Sequence, residues 1–344
     1  MITTNSAQAG PGACVRLEPD GRSFRCAPGQ TVLAAALAAG IDLPYECASG
    51  SCGSCRAQLA AGSVRARWPE ASGLSERDRR KGDRILCCQS IAQADCVIRL
   101  RPGSAEVRLP PRTVRARVAS LRPLNQDVIH LVLDTEQGMD FLPGQFVLFD
   151  FGAGTGRRAY SMSNLPAGKG SLEFLIKRKP GGLAGRFLFE RLQAGDGLDL
   201  EGPYGRAWLR SDSTRDIVLL AGGSGLAPIW SIAQAALARA PQRRLRLYFG
   251  ANRSQDLFWL REIEQAQRCH SGLQVNLVLM ETSASDPSSC RQGAAGAAMA
   301  HDIHDLHACD LYMAGPPGLI DSVMRELVAT GRVPADRVFF DRFC

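Results

Sequence analysis

The spacing of apolar residues changes along the chain. Between 114 and 205 they fall in short strand-like runs, 114–121, 128–133, 145–151 and 172–177, punctuated by Pro143-Gly144, Pro166 and Pro180-Gly181-Gly182. Such runs between Gly and Pro breaks predict a small antiparallel barrel or sandwich, and Gly202-Pro203-Tyr204-Gly205 is expected to close it with a tight turn. From about 213 the rhythm differs: 217–221 reads as a strand, 229–240 as a helix, and 245–249 and 275–280 as strands. Alternating strand and helix predict a parallel sheet with covering helices. Residues 101–117 carry Pro102, Gly103, Pro110 and Pro111 with few apolar side chains, which is linker composition. The expected divisions are 1–104, a linker at 105–113, 114–210 and 211–344. The chain has no internal repeat, and Ala/Gly-rich 293–300 reads as a loop running into a helix.

Length and composition narrow the class. At roughly 100–200 residues per domain, 344 residues suggest two or three domains, and 45% apolar with 22% charged residues is ordinary globular composition. No apolar run reaches the ~18–20 residues of a membrane span, and residues 1–12 lack the charged-then-apolar pattern of a secretory signal. Twelve cysteines without such a signal point to a reducing cytoplasm, where thiols serve as ligands rather than disulfides. The net charge is +7, but Arg77, Arg79, Arg80 and Lys81 are mixed with Glu76, Asp78 and Asp83, and no aromatic residues interleave. That composition predicts a solvated face, not a nucleic-acid patch.

The cysteines have a pattern. Cys47-x4-Cys52-x2-Cys55, followed by Cys87 and Cys88, matches plant-type [2Fe–2S] spacing. Two irons need four thiolates, and Gly50 and Gly53 let one loop supply three of them. Backbone N–H groups in such a loop can donate to the sulfurs. A structural zinc site usually wants two short Cys/His pairs, and only Cys52/Cys55 forms one. The fourth ligand is Cys87 or Cys88 on spacing alone. Cys14, Cys26, Cys96, Cys269, Cys290, Cys309 and Cys344 fit no ligand spacing and are expected to be free thiols.

Two further regions suit bound anions. The run Arg158-Ala159-Tyr160-Ser161-Met162-Ser163-Asn164 offers, in its Arg, Tyr and Ser, a guanidinium, an aromatic ring and a hydroxyl, groups that suit a pyrophosphate, an isoalloxazine and the flavin N5 edge. Pro180-Gly181-Gly182-Leu183-Ala184-Gly185 precedes an expected helix at 186–192, whose free N–H groups could hold phosphate. In the third region, strand 217–221 runs into Gly222-Gly223-Ser224-Gly225-Leu226-Ala227-Pro228 and a helix. Pro228 can occupy the first helical turn, and it replaces the last Gly of the G-x-G-x-x-G fingerprint. Gly315-Pro316-Pro317 ends a second apolar run, 311–314, on what should be the same sheet rim, where parallel sheets bind ligands.

Taken together, these motifs resemble the oxygenase reductases that fuse an N-terminal plant-type ferredoxin domain to a ferredoxin–NADP reductase-like module. The resemblance spans about 14–344. Within it, Leu43-Pro44-Tyr45-Glu46-Cys47, Trp68-Pro69-Glu70, Gly73-Leu74 and Phe340-Asp341-Arg342-Phe343 are similar to the reductases of toluene-4-monooxygenase and its relatives. The likeness implies a β-grasp [2Fe–2S] domain, an antiparallel β-barrel FAD domain and a parallel-sheet α/β NAD domain. It also implies NADH as donor and a Rieske-type ferredoxin as acceptor, feeding a di-iron hydroxylase, in a protein expected to be monomeric. The family's Ile-Leu-x-Cys-Gln pattern, here Ile85, Leu86, Cys88 and Gln89, selects Cys88 as fourth ligand. By the same likeness Arg158, Tyr160 and Ser161 hold the flavin, Ile176, Lys177, Gly182 and Leu183 lie near its phosphates, and Gly223, Ser224, Gly225, Pro228, Gly315 and Pro316 line the NADH groove.

Phe343 is either the aromatic that the nicotinamide displaces or a hydrophobic C-terminal anchor. Relatives commonly carry Cys where this chain has Ala314, and Ser or Thr where it has Gly185. The first departure bears on nicotinamide positioning; the second removes a hydroxyl donor but leaves the backbone donors. Gly250-Ala251-Asn252-Arg253-Ser254-Gln255-Asp256 resembles the NADH branch, although Arg253 and Ser254 could meet a 2′-phosphate. His301, His304 and His307 could form a metal comb, but Asp302 and Asp305 make the stretch a polar surface helix. The expected chemistry is hydride from NADH to FAD and single electrons to the cluster. The alternatives are a reductase of a Rieske-type ring dioxygenase and a non-catalytic iron–sulfur sensor. With about −2 from an oxidised cluster and its thiolates and about −2 from the FAD pyrophosphate, the charge of the loaded protein falls to roughly +3.

Overall fold

The computed structural model describes residues 12–103, 107–152, 156–166 and 170–343. The polar stretch through Pro11 and the thiol of Cys344, both read above, lie outside the described residues. The chain divides into two compact units between Arg112 and Thr113. The barrel and the parallel sheet therefore share one unit, and Arg112–Pro123 is already strand where the end of the linker was expected.

The first unit is a five-stranded mixed sheet in the order Ser23–Cys26, Ala13–Glu18, Cys96–Arg99, Arg56–Ala61, Arg84–Leu86. The outer pairs are antiparallel and Ala13–Glu18 runs parallel to Cys96–Arg99. A helix, Val32–Ala38, starts where Thr31 Oγ1 accepts from Ala34 N, and its residues 32–37 are all buried. Small Ala side chains let this short helix lie close against its surroundings, which is the β-grasp arrangement the resemblance implied.

The second unit contains two six-stranded sheets. The antiparallel one has the order Arg157–Ser161, Phe146–Asp150, Gly197–Tyr204, Arg112–Pro123, Val128–Thr135, Ser171–Lys177. Its interior packs Phe149, Phe174, Leu131, Leu133, Met162 and Leu200. Gly197–Tyr204 is a central strand that includes Pro203, so the turn expected at 202–205 is a continuation of strand through Tyr204. Pro203 follows a cis peptide bond there.

The other sheet has the order Cys290–Gln292, Leu273–Leu279, Leu245–Ala251, Asp216–Gly222, Cys309–Gly315, Val338–Arg342, with every pairing parallel. Helix Leu226–Arg239 covers one face through Ile229, Ala233 and Leu237, while Ala295–Asp302 and Pro317–Val323 cover the other through Met299 and Ile320. Chain order reverses between Asp216–Gly222 and Cys309–Gly315, the kind of switch point at which open parallel sheets bind ligands. Among the described residues no helix is long and apolar enough to cross a membrane.

Candidate functional site

In the first unit the loop preceding Arg56–Ala61 carries Cys47, Cys52 and Cys55. Two glycines shape it: Gly50 has φ +94° and Gly53 φ +80°. A Cβ on Gly53 would sit 2.8 Å from the Gly73 carbonyl oxygen, and one on Gly50 would sit 2.9 Å from Gln89 Cγ. No other residue type fits both demands. The thiols gather in two pairs. Cys52 N donates to Cys47 Sγ at 3.4 Å, and Cys55 Sγ lies 3.2 Å from Cys88 Sγ. Gln89 Nε2 lies 3.8 Å from Cys88 Sγ as a further donor. Cys87 is fully buried, its N–H given to the Cys55 carbonyl and its own carbonyl accepting from Leu33 N.

In each thiol pair one member's pKa is lowered and its partner's is raised. The Cys52 thiol beside Cys47 holds Cys47 well below the usual thiol range, and Cys88 does the same for Cys55. Thiolate character is the form in which cysteine binds iron. Among the described residues no three His, Cys, Asp or Glu side chains surround one point suited to a single ion. Thiols paired two and two fit a core of two irons, each taking one pair, and disfavour zinc.

In the second unit Arg157–Ser161 is an edge strand against Phe146–Asp150. Alternation along a strand sends Arg158 and Tyr160 to the face of Val147 and Phe149, their register partners' side, while Ser161 goes with Phe146 to the other. The three groups thus flank the strand end from both faces rather than converging on one. Tyr160 packs on Phe149 at 4.6 Å between ring centroids, and burial pushes its hydroxyl above the ordinary range, so the ring stays neutral. Arg157, not singled out from sequence, pairs with Asp150 at 3.1 Å and Glu201 at 2.6 Å and ties the edge strand to its neighbours.

Ser163 belongs to the same Arg158–Asn164 run, with no role of its own assigned from sequence. Its Oγ is buried without a hydrogen-bond partner among the described residues, two residues beyond Ser161 and on the same side of the alternation. An orphaned hydroxyl there fits a polar ligand edge better than a dry interior. The flavin-phosphate helix begins at Leu183, earlier than the expected 186, with Gly182 as N-cap; residues 187–191 continue as a wider turn. Leu183 is exposed, and a Cβ on Gly185 would make only ordinary contact with Lys179. Ile176 is buried inside the barrel, so its contribution is to the strand that presents Lys177.

The nucleotide loops meet backbone to backbone. Residues 223–225 form a single tight turn, and helix Leu226–Arg239 follows with Pro228 in its first turn. A Cβ on Gly225 would lie 2.0 Å from the Ala314 carbonyl oxygen, and one on Gly315 would lie 3.0 Å from the Gly222 oxygen. A Cβ on Gly222 would meet Pro316 Cδ at 2.9 Å. Gly223 has φ +54°, and a Cβ built on it would come within 3.9 Å of Lys177 Cδ. Residues assigned to flavin and to coenzyme are therefore neighbours across a seam between barrel and sheet. Ser231 Oγ donates to the Asn164 carbonyl at 2.7 Å and Gln234 Nε2 to the Ser163 carbonyl at 2.9 Å, which pins helix and barrel together. On another side Arg210 lies between Trp208 and Phe339, at 3.4 and 4.3 Å from the two ring centroids.

Phe343 donates its N–H to the Gly315 carbonyl at 2.9 Å and packs half-buried against the sheet core. It thus has the contacts of an anchor while sitting on the same rim as the glycine loops. Arg253 and Ser254 are both engaged by carboxylates: Arg253 pairs with Glu281 at 2.8 Å, and Ser254 Oγ donates to Asp286 at 2.5 Å. The histidine comb does not form, because its helix ends at Asp302 and His307 belongs to a separate turn.

Three family models match the chain in succession: a 2Fe-2S iron-sulfur cluster binding domain over 15–93, an oxidoreductase FAD-binding domain over 115–208, and an oxidoreductase NAD-binding domain over 219–325. The chain is 52% identical over 325 residues to the ferredoxin–NAD(+) reductase component of the alkene monooxygenase system of Xanthobacter autotrophicus, covering 94% of this chain and 98% of that one. It is 33% identical to the xylene/toluene monooxygenase electron transfer component of Pseudomonas putida over 97% of this chain and 94% of that one. A solved structure, the ferredoxin reductase in carbazole 1,9a-dioxygenase, superposes with a TM-score of 0.86 at 33% identity, covering 96% of this chain and 98% of that chain.

Proposed function

The chain belongs to the family of flavin iron–sulfur reductases of the ferredoxin–NAD(+) reductase type that serve oxygenase systems, and from that premise we propose that it delivers electrons to a Rieske-type ferredoxin of a di-iron hydrocarbon monooxygenase. The observation that carries the proposal is the full-length 52% identity to an alkene monooxygenase reductase. The narrower likeness to toluene-4-monooxygenase reductases gives way to the broader class of monooxygenase reductases, because the chain is 52% identical to an alkene monooxygenase reductase and 33% identical to a xylene/toluene one. The 0.86 superposition on a dioxygenase reductase favours the second reading, a ring-dioxygenase system.

When bound, FAD accepts the hydride of NADH as an electron pair and the [2Fe–2S] cluster takes electrons one at a time. The residues of the chain do the rest. Cys47, Cys52, Cys55 and Cys88 hold the cluster, with the backbone N–H of Cys52 and the amide of Gln89 directed at sulfur. Arg158 and the backbone N–H groups after Gly182 hold the flavin pyrophosphate, and Tyr160 presents an uncharged ring. Ser161 supplies a hydroxyl toward the flavin edge, and it is assigned to the hydride step together with Phe343. Gly223, Ser224, Gly225 and Pro228 let the coenzyme approach the backbone, opposite Gly315 and Pro316. Phe343, beside Gly315, shields that rim until the nicotinamide arrives. We assign a reducing cytoplasm, where thiols can serve as ligands, and a monomer.

Reconstitution tests the proposal. The holo-protein with NADH, a Rieske-type ferredoxin and a di-iron hydroxylase should support hydrocarbon hydroxylation coupled to NADH oxidation. Efficient coupling to a Rieske dioxygenase but not to the hydroxylase would move the assignment to the second reading. Anaerobic NADH should bleach both flavin and cluster absorbance; a spectrum indifferent to NADH would leave the sensor reading standing.

A further inference from the structure

We infer that the helix Glu76–Lys81 is a docking face for an acidic electron-accepting protein, set beside the thiol loop so that its cations bring that protein's carboxylates to the loop's open rim. The inference rests on the reading of the four thiols as the point from which electrons leave.

The helix is fully built and yet buries nothing. Ser75 and Asp78 form a reciprocal capping box, and Gly82 closes the C-terminus in the left-handed conformation, but no residue of the helix is buried. Capping of this quality stabilises the helical conformation without core contacts. The segment 71–75 that precedes the helix is held to the thiol loop, and the helix is held to that segment and to Arg56, the residue after Cys55. Gly73 N donates to the Gly50 carbonyl at 2.9 Å, Arg56 pairs with Asp78 at 3.1 Å, and Arg79 Nη2 donates to the Ala71 carbonyl at 2.7 Å. These contacts hold Arg79 and Arg56 in structural duties. Arg77, Arg80 and Lys81 are exposed and have no ion pair or hydrogen bond among the described residues.

The placement matches the exit route. Cys55 and Cys88 are buried, whereas Cys47, Cys52 and residues 51–54 are half-buried, so the open edge of the loop is the one bordered by 72–75 and then by the helix. An oxidised cluster with four thiolates carries about −2, which by itself would repel an acidic protein. The helix carries four cations and two anions, a net +2, which offsets the cluster's about −2; its unpaired Arg77, Arg80 and Lys81 supply the steering that accelerates encounter of complementary proteins. The absence of aromatic side chains from 75–82 and the acidic Glu76 and Asp78 within the helix are poor features for a nucleic acid.

The test uses the full-length holo-protein and two triple variants, R77E/R80E/K81E and R77Q/R80Q/K81Q, none of whose positions contributes to the caps. NADH-driven reduction is followed with a Rieske-type ferredoxin of acidic surface and with cytochrome c, a basic acceptor. At about 20 mM ionic strength, kcat/KM for the ferredoxin should fall about 30-fold in the Glu variant and less in the Gln variant. The gap should close at about 0.5 M salt, where screening is strong, while reduction of cytochrome c rises. Flavin reduction by NADH in stopped flow should be unchanged in both. Unaltered ferredoxin kinetics, or a loss independent of salt, would overturn the docking face. Failure of the wild-type protein to reduce either acceptor would instead overturn the reading on which the inference rests.

Discussion

The thiol loop and the glycine seam are both built by packing backbone closely against backbone, but they draw on the chain differently. Three of the four thiols lie within nine residues, and the glycines that shape their loop sit between them. The seam joins Lys177, Gly223 and Gly315, which are far apart in sequence and meet only because strand order brings them to one rim. A local site of this kind should fail in one step when a ligand is lost. A site assembled from distant strand ends should instead degrade by degrees, as packing, positioning and electrostatics are disturbed in turn.

The largest effect is expected at the local site. Cys55→Ser or Cys88→Ser should abolish normal cluster absorbance and ferredoxin reduction while NADH still reduces the flavin. Cys87→Ser should retain the cluster spectrum; its loss of the cluster would overturn the pairing of Cys88 with Cys55. At the seam, Gly225→Ala places a methyl 2.0 Å from the Ala314 carbonyl oxygen, so the 223–225 turn and the strand Cys309–Gly315 must move apart. A loss of about 1–3 kcal/mol with weakened NADH binding is expected from thermal unfolding and titration, and unchanged values would separate the glycine loops from the coenzyme.

A smaller effect should follow Ser161→Ala. Loss of one hydrogen bond should slow flavin reduction roughly tenfold with FAD still bound, and unchanged stopped-flow kinetics would remove its role. The mildest change is at the coenzyme's far end. Glu281→Gln with Asp286→Asn releases Arg253 and Ser254 from their carboxylates, and the preference for NADH over NADPH should narrow about three- to tenfold. An unchanged ratio of the two kcat/KM values would show that this pair does not set selectivity.

The two regions also differ in how they could be read beforehand. Cys47-x4-Cys52-x2-Cys55 carries its chemistry in its spacing, since a loop that short leaves the thiols little room to separate. The choice between Cys87 and Cys88 was not contained in spacing, because adjacent residues differ only in where the strand ends send them. In the barrel, Arg158-Ala159-Tyr160-Ser161 was visible as a motif, but the division of its side chains between two faces followed from register with Phe146–Asp150. Gly197–Tyr204 escaped because its Gly and Pro resemble a turn, and pairing with Phe146–Asp150 overrides that local preference. Ser163 lay inside the Arg158–Asn164 run without an assigned role; burial of its hydroxyl without a partner among the described residues is what marks it. The histidine comb, set aside in favour of a polar surface helix, does not lie on one helix either way, because that helix stops at Asp302.

Sequence by itself determined the class of each region: a two-iron thiol loop, a Gly/Pro-punctuated barrel and a strand–helix sheet with glycine-rich strand ends. Those features are local, set by side-chain chemistry and backbone freedom over a few residues. The tertiary structure alone decided which thiols pair, that Gly225 and Gly315 must be glycine because other backbone lies against them, and that Lys177 reaches the coenzyme loop. It also decided that the basic run at 76–81, legible only as a solvated face, borders the rim of the thiol loop. Contacts of that kind depend on strand order and register, which no short stretch of sequence contains.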